Sequence, residues 1–186
     1  NGINKDKSCF GKGTSIINYM DVNKHAFLYK SMIKGLVESN EKEQQVYSVY
    51  TTDILVTRTS ETKDEIAYTS CVLEKIEKCV FSGFLLRARP KTKDINTIFM
   101  VYLLRSNEYR KRLMNLSTET SRALINSENL GKLLISLPCQ EIQGKIASFL
   151  MLIDSRIETQ NKIIEKYESQ KLAISHKIFN KKCDLQ

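Results

Sequence analysis

Residues 138–178 read PCQEIQGKIASFLMLIDSRIETQNKIIEKYESQKLAISHKI, and the fold turns on how that run is read. Positions 146, 150, 153, 157, 160, 164, 167, 171, 174 and 178 follow alternating steps of four and three, the spacing of a heptad seam. They hold Ile146, Leu150, Ile153, Ile157, Gln160, Ile164, Tyr167, Lys171, Ile174 and Ile178, eight of them apolar. No Gly or Pro interrupts the run after Gly144. Helical rise gives the seam a length of roughly 50 Å. The spacing predicts one long helix over 138–182, too long for residues 1–137 to cover, and therefore a helix that pairs with another. A helix folded back on its own domain is the alternative.

The two polar seam positions bear on orientation. A parallel homodimer would set Lys171 against Lys171, and buried like charges are costly. An antiparallel pair centred near Lys162 sets Lys171 against Ile153 and Gln160 against Ile164. The Lys171 stem then lies on apolar surface while its ammonium reaches water. The expectation is an antiparallel pair along Ile146, Leu150, Ile153, Ile157, Ile164, Tyr167, Ile174 and Ile178.

Working outward toward the N-terminus, residues 10–90 read as short strands and turns. Ile54-Leu55-Val56 is a strand led by Asp53, and Val80 to Leu86 reads as a buried strand closed by Arg87, Arg89 and Pro90. Aliphatic, aromatic and β-branched residues favour that assignment. Residues 61–65 are a polar loop. Over 96–114 the apolar residues switch to helical spacing, with Asn96 as a candidate cap and a basic end at Arg105, Arg110, Lys111 and Arg112 that suits the helix dipole. A polar stretch, 117–122, precedes Leu133 to Leu137, which reads as a strand stopped by Pro138. The expected class is α+β: a globular, mostly-β domain with a small helix over 1–137, then one long coiled-coil-forming helix.

Composition narrows the function. Of 186 residues 41% are hydrophobic, which permits a packed core, and the net charge is +8. Residues 1–137 carry 21 basic against 15 acidic residues, so most of the excess sits on the globular part. A phosphate-binding surface needs such an excess, because neutralised phosphates release counterions. No apolar run spans a bilayer and no signal-peptide core leads the chain, so a cytoplasmic protein off the membrane is expected. Cysteines 9, 71, 79, 139 and 183 are odd in number and lack C-x-x-C spacing, as expected of reduced thiols. The first residue is Asn, which fits a chain missing its native start.

Chemistry is hard to find. His25 and His176 are the only histidines, and Asp21 beside His25 falls short of a metal site. Gly11-Lys12-Gly13-Thr14-Ser15 lacks the first Gly and the hydroxyl residue of a phosphate loop, and reads as a turn. No nucleophile elbow or zinc-deaminase pattern occurs. No catalytic residue, metal or cofactor is expected. A dispersed metal-dependent nuclease site and a coiled-coil adaptor without sequence-specific DNA binding remain as alternatives.

Three segments resemble the specificity subunit of type I restriction–modification enzymes, and one half of it in particular. Asp53 to Thr59 is similar to an aspartate-led strand of the family's target-recognition domains. Phe99 through Tyr102-Leu103-Leu104-Arg105-Ser106 to Ser117-Thr118 resembles its helix and Ser/Thr-rich loop. Leu137-Pro138-Cys139-Gln140-Glu141-Ile142-Gln143-Gly144-Lys145-Ile146, with Ile153-Asp154-Ser155-Arg156-Ile157, looks like the entry into its long helix. Ile142 departs from the family's second acidic residue, Gly144 weakens the helix start, and the segment before Gly11 is short. A second recognition domain and second helix are absent, so the chain is either a half-subunit that pairs with itself or a fragment.

The resemblance implies a non-catalytic reader of double-stranded DNA. In this arrangement a second specificity half-subunit completes a homodimer, and methyltransferase subunits, with the restriction subunit as a further partner, dock on the helices. Two-fold symmetry implies an interrupted palindrome as target. The helix length limits the half-site separation to about 15 base pairs. Base edges are read by Arg, Lys and short polar side chains, and phosphates by Lys, Arg and hydroxyls. The candidates are Arg58, Thr59, Ser60 and Lys63; Arg87, Arg89, Lys91 and Lys93; and Thr118, Ser121 and Arg122. Arg58 could instead pair with an internal acid.

Overall fold

The computed structural model describes residues 1–119 and 121–180, with the side chain of Asn180 left aside. Two compact units emerge, Asn1–Gly144 and the residues from Lys145 onward. The first unit runs β1 (Phe10–Ile17), α1 (Tyr19–Lys24), β2 (Phe27–Leu28), β3 (Gly35–Val37), α2 (Glu41–Val46), β4 (Ile54–Thr57), β5 (Thr59–Ser60), β6 (Thr69–Val72), β7 (Cys79–Phe81) and β8 (Leu85–Ala88). It continues through α3 (Thr97–Arg105), α4 (Asn107–Leu116), β9 (Thr118–Glu119), β10 (Ala123–Leu124) and α5 (Ser127–Gly131), and into α6 (Gln140–Asn180). The expected α+β class is what the chain adopts, with more helix in the domain than one small element. Residues 181 and 182, the expected end of the long helix, lie outside the described residues, as does Cys183.

Three sheets, ordered β3-β1-β7, β2-β6-β4-β8 and β5-β10-β9, carry the domain. β4 is flanked on both sides, antiparallel to β6 and to β8. All four of its residues are buried. The apolar run Ile54-Leu55-Val56 within it belongs to a strand covered on both faces. One core beside it combines Ile54, Val56 and Leu86 with Val101, Leu104 and Leu113 from α3 and α4. Another joins Leu55 and Leu85 to Ile17, Val22 and Phe81. Burial pushes the Cys71 and Cys79 thiols up to about 12, which keeps them protonated.

Several local expectations need correction. Residues 96–114 form two helices, because Ser106 takes extended backbone (φ −65°, ψ 152°) and its Oγ accepts from Tyr109 N at 3.5 Å. A serine at that point caps a new helix better than it continues the old one. Asn96 does cap α3, its Oδ1 accepting from Phe99 N at 3.0 Å. The basic residues at the end of the run do more than complement a dipole. Arg105 donates to the carbonyls of Thr69 (2.6 Å), Val22 (2.8 Å) and His25 (3.1 Å). Buried Arg110 donates to Asp64 O at 2.9 Å and stacks on Tyr68. Burial lowers the pKa of both guanidiniums.

Leu133 to Leu137 is not a strand: residues 133–139 carry no regular element. Leu133 and Ile135 pack on the core while Leu134 is exposed, so the alternation is real but no ladder forms. Gly11 to Ser15 is not a turn but an irregularity inside β1, where Phe10 and Thr14 both oppose Val37. Gly13 has φ +97°, and a Cβ there would lie 2.7 Å from Val37 O, so only glycine fits. The unexpected α1 and α2 open with Asn18-x-x-Asp21 and Asn40-x-x-Glu43. The carboxylates accept from the Asn18 and Asn40 amides at 2.8 and 2.9 Å. That capping box was the missed signal.

In the second unit α6 is one continuous helix, with the exposed apolar side chains Ile153, Ile157, Ile164, Tyr167, Ile174 and Ile178 along it. Glu158 and Lys162 pair one turn apart at 2.7 Å. No helix among the described residues is long and apolar enough to cross a membrane.

Candidate nucleic-acid interface

The candidate residues fall at the two ends of one ladder. β4 and β8 run antiparallel, with Thr57 opposite Leu85 at one end and Ile54 opposite Ala88 at the other. Arg58 follows the first end, and Asp53 and Arg89 flank the second. The four residues of β4 separate Asp53 from Arg58, five steps of strand or about 17 Å.

At the Asp53 end the charges are satisfied internally. Asp53 is 1% exposed and receives Arg89 in a two-pronged contact, Nε to Oδ1 at 2.6 Å and Nη2 to Oδ2 at 2.7 Å. Its Oδ2 also accepts from Tyr50 N at 2.8 Å. The carboxylate hydrogen bond raises the Arg89 pKa, and the guanidinium lies 4.1 Å from the Tyr50 ring centroid. Arg87 donates to Ser48 O and sits over Phe81, and burial lowers its pKa. The internal acid pair foreseen for Arg58 thus belongs to Arg89. Lys91 and Lys93 are exposed and line a cavity of about 370 Å³ with Thr52, Pro90 and Thr97. Next to it Gln143, 2% exposed, accepts from Asn96 N at 2.9 Å and donates to Asp94 O at 3.1 Å and Pro138 O at 2.9 Å. Gln143 thereby binds residues 138–144 to the 94–96 loop.

At the other end the structure brings two distant candidate segments together. β10 pairs with β5 (Ala123 opposite Ser60, Leu124 opposite Thr59) and with β9 (Leu124 opposite Thr118). Ile125 N donates to Arg58 O at 2.9 Å. Residues 59–60, 118–119 and 123–124 are therefore strands of one small sheet. Exposed Arg122 reaches Glu61 at 3.6 Å. Ser60 is buried and donates to Thr62 O, whereas Ser121 and Thr118 are exposed and Lys63 is half-buried. Thr120, within the polar stretch, lies outside the described residues.

Arg58 stands apart. The domain holds seven arginines, 58, 87, 89, 105, 110, 112 and 122. Six have a carbonyl or carboxylate partner. The Arg58 guanidinium has none among the described residues, and its Nε is buried without a hydrogen bond. An unmet buried donor costs about 1–3 kcal/mol. Arg58 lines a cavity of about 410 Å³ with Asn1, Asn4, Tyr47, Thr59 and Phe84. Thr59 and Phe84 also line a second cavity of about 500 Å³, with Tyr19, Thr62 and Arg122. Burial raises the Tyr19 pKa, and its hydroxyl accepts from Asn23 Nδ2 at 3.1 Å.

Phe84 is a functional candidate that sequence reasoning missed. The run 80–86 reads as one buried strand, but β7 ends at Phe81 and a turn places Phe84 at 53% exposure. Burying a phenyl ring is worth about 1.5–3 kcal/mol, which this position forgoes. The Ser82-Gly83 pair before it was the available signal for a turn. Among the described residues no group of three His, Cys, Asp or Glu side chains is placed to hold a metal.

The domain sets basic and aromatic side chains beside open cavities. The sequence profile described as "Type I restriction modification DNA specificity domain" matches residues 3–169, and the chain belongs to that family. The fold is similar to a chain from a structural study of complex assembly and conformational transition in the type I restriction–modification system. The TM-score is 0.66 at 15% identity, over 97% of this chain and 41% of that one. It is also similar to the S subunit of a type I restriction–modification system from M. genitalium, with a TM-score of 0.57 at 17% identity, over 96% of this chain and 42% of that one. The chain thus spans about two fifths of the length of these structures.

Proposed function

We propose that the domain reads one half of a split DNA target for a type I restriction–modification complex, with base recognition centred on Arg58. The observation that carries this is the Arg58 guanidinium at the wall of an open cavity, with no carbonyl or carboxylate partner among the described residues, whereas each of the domain's other arginines has at least one, Arg110 keeping only its Nη1 unmet. A two-pronged contact from arginine to guanine would satisfy it. Thr59, Thr118, Ser121 and Arg122 share the same small sheet and its turn, within reach of the same stretch of duplex. Lys91 and Lys93, at the other end of the β4–β8 ladder, suit phosphate contacts. Arg87 and Arg89 hold the domain together and leave the reading surface.

The long helix pairs antiparallel with a second specificity chain and offers the methyltransferase subunits a platform. Support comes from the apolar side chains left exposed along α6 and from the register centred at Lys162, which pairs every apolar seam residue with another seam residue. The chain itself catalyses nothing and sits where its DNA is, in the cytoplasm. Selection from a random duplex pool at two salt concentrations tests the reading. A split palindrome bound more weakly as salt rises is expected; recovery of no motif overturns it. Cysteines placed at 153 and 171 should cross-link between chains under mild oxidation, and their failure to do so overturns the antiparallel register.

A further inference from the structure

We infer that Phe84 is a specificity-determining residue that reads the methyl group of a thymine next to the base pair contacted by Arg58. The inference rests on the reading of the Arg58 corner as a DNA interface. Phe84 is more than half exposed at a turn whose neighbours Phe81 and Leu85 are buried. The turn is held firmly: Arg58 N donates to Phe84 O at 2.9 Å, Gly83 N to Ile3 O at 2.7 Å and Leu85 N to Ser82 O at 3.0 Å. Phe84 N also donates to Ser82 Oγ at 3.3 Å. The ring is therefore presented on a rigid support, and little ordering entropy is lost on contact.

Its position selects its partner. Phe84 borders both cavities, with Arg58 on one side and Arg122 on the other, so an apolar ring stands between two cationic side chains. Base edges in the major groove present donors, acceptors and a single kind of apolar group, the thymine C5-methyl. A phenyl ring makes no hydrogen bond there and gains only from that methyl. The backbone bond between residues 58 and 84 keeps the two side chains within reach of adjacent base pairs.

The test uses the full chain and the duplex it selects, with each thymine replaced singly by uracil, which removes only the methyl. For the unmodified chain, replacement at one thymine should weaken binding about fourfold, the value of one buried methyl group. Phe84→Ala should bind the original duplex about fourfold or more weakly and be indifferent to that replacement. Phe84→Leu should keep the sensitivity, since it keeps an apolar contact. Arg58→Ala should weaken binding yet retain the uracil effect. If a target is selected but no uracil matters, or if Phe84→Ala remains as sensitive as the unmodified chain, the thymine contact is overturned while the DNA-reading domain stands. A Phe84→Ala loss independent of every thymine and accompanied by reduced DNA bending means a wedge between bases, and also overturns it. Selection of no target overturns both readings. The thermal transitions of Phe84→Ala and Phe84→Leu should match the unmodified chain, because residue 84 lies outside the core.

Discussion

The two ends of the β4–β8 ladder have similar ingredients and opposite fates. At the Asp53 end a buried carboxylate, Arg89 and a tyrosine ring satisfy one another, and Arg87 donates to the Ser48 carbonyl. At the Arg58 end an arginine and an exposed phenylalanine face open cavities with no internal partner among the described residues. An arginine fully used by its own fold stabilises that fold and has little left to offer a ligand. An arginine held in place without a partner costs stability, and in the proposed function the DNA supplies the missing partner. The comparison separates residues that composition treats alike.

The largest expected effect is on the saturated end. Asp53→Ala removes three hydrogen bonds, leaving the Tyr50 amide unmet and Arg89 with only its bond to the Ser48 carbonyl at 3.2 Å. With Asp53 buried but Arg89 partly exposed, the loss should cost about 2–3 kcal/mol, and the melting temperature should fall by roughly 4–12 °C. Next comes Arg58→Ala, which should weaken target binding by about 5- to 150-fold, or ~1–3 kcal/mol, and relax one target position. Its stability should equal or exceed that of the unmodified chain, because the unmet Nε donor leaves with the side chain. A variant at 58 that melts early but binds normally would reverse the comparison. Arg58→Lys keeps the charge but loses the fork, so it should recover nonspecific binding without the base preference. Smallest is the effect of Lys91→Ala or Lys93→Ala: a uniform weakening across sequences, and a salt slope lower by about 1 for each phosphate left unneutralised. A change in base preference from either lysine would move the reading surface to the other end of the ladder.

Some of this was open to inspection in one dimension. The buried strand at Ile54-Leu55-Val56 follows from its unbroken apolar run, and the cap at Asn96 from its residue type and the helical spacing after it. The Asp53–Arg89 contact was not visible, because it depends on the β4–β8 register, and Arg58 carries the same side chain only five residues from Asp53. The break at Ser106 was hidden by helical periodicity that runs through both α3 and α4. Phe84 was hidden for a similar reason, since an apolar residue among apolar residues reads as core until the turn that ejects it is known. Joining residues 59–60 to 123–124 required a strand pairing across about sixty positions, and short strands with mixed polarity specify such pairing weakly.

The amino-acid sequence by itself determined the α+β class, the long helix with its heptad seam, the basic excess on the globular part, and the resemblance that proved to be family membership. These are properties of spacing and composition, which a chain carries whatever it packs against. The tertiary structure alone decided which charged side chains are satisfied and which are not, because a guanidinium's partner is set by register and burial. The same side chain at residue 89 became a brace and at residue 58 a free hand.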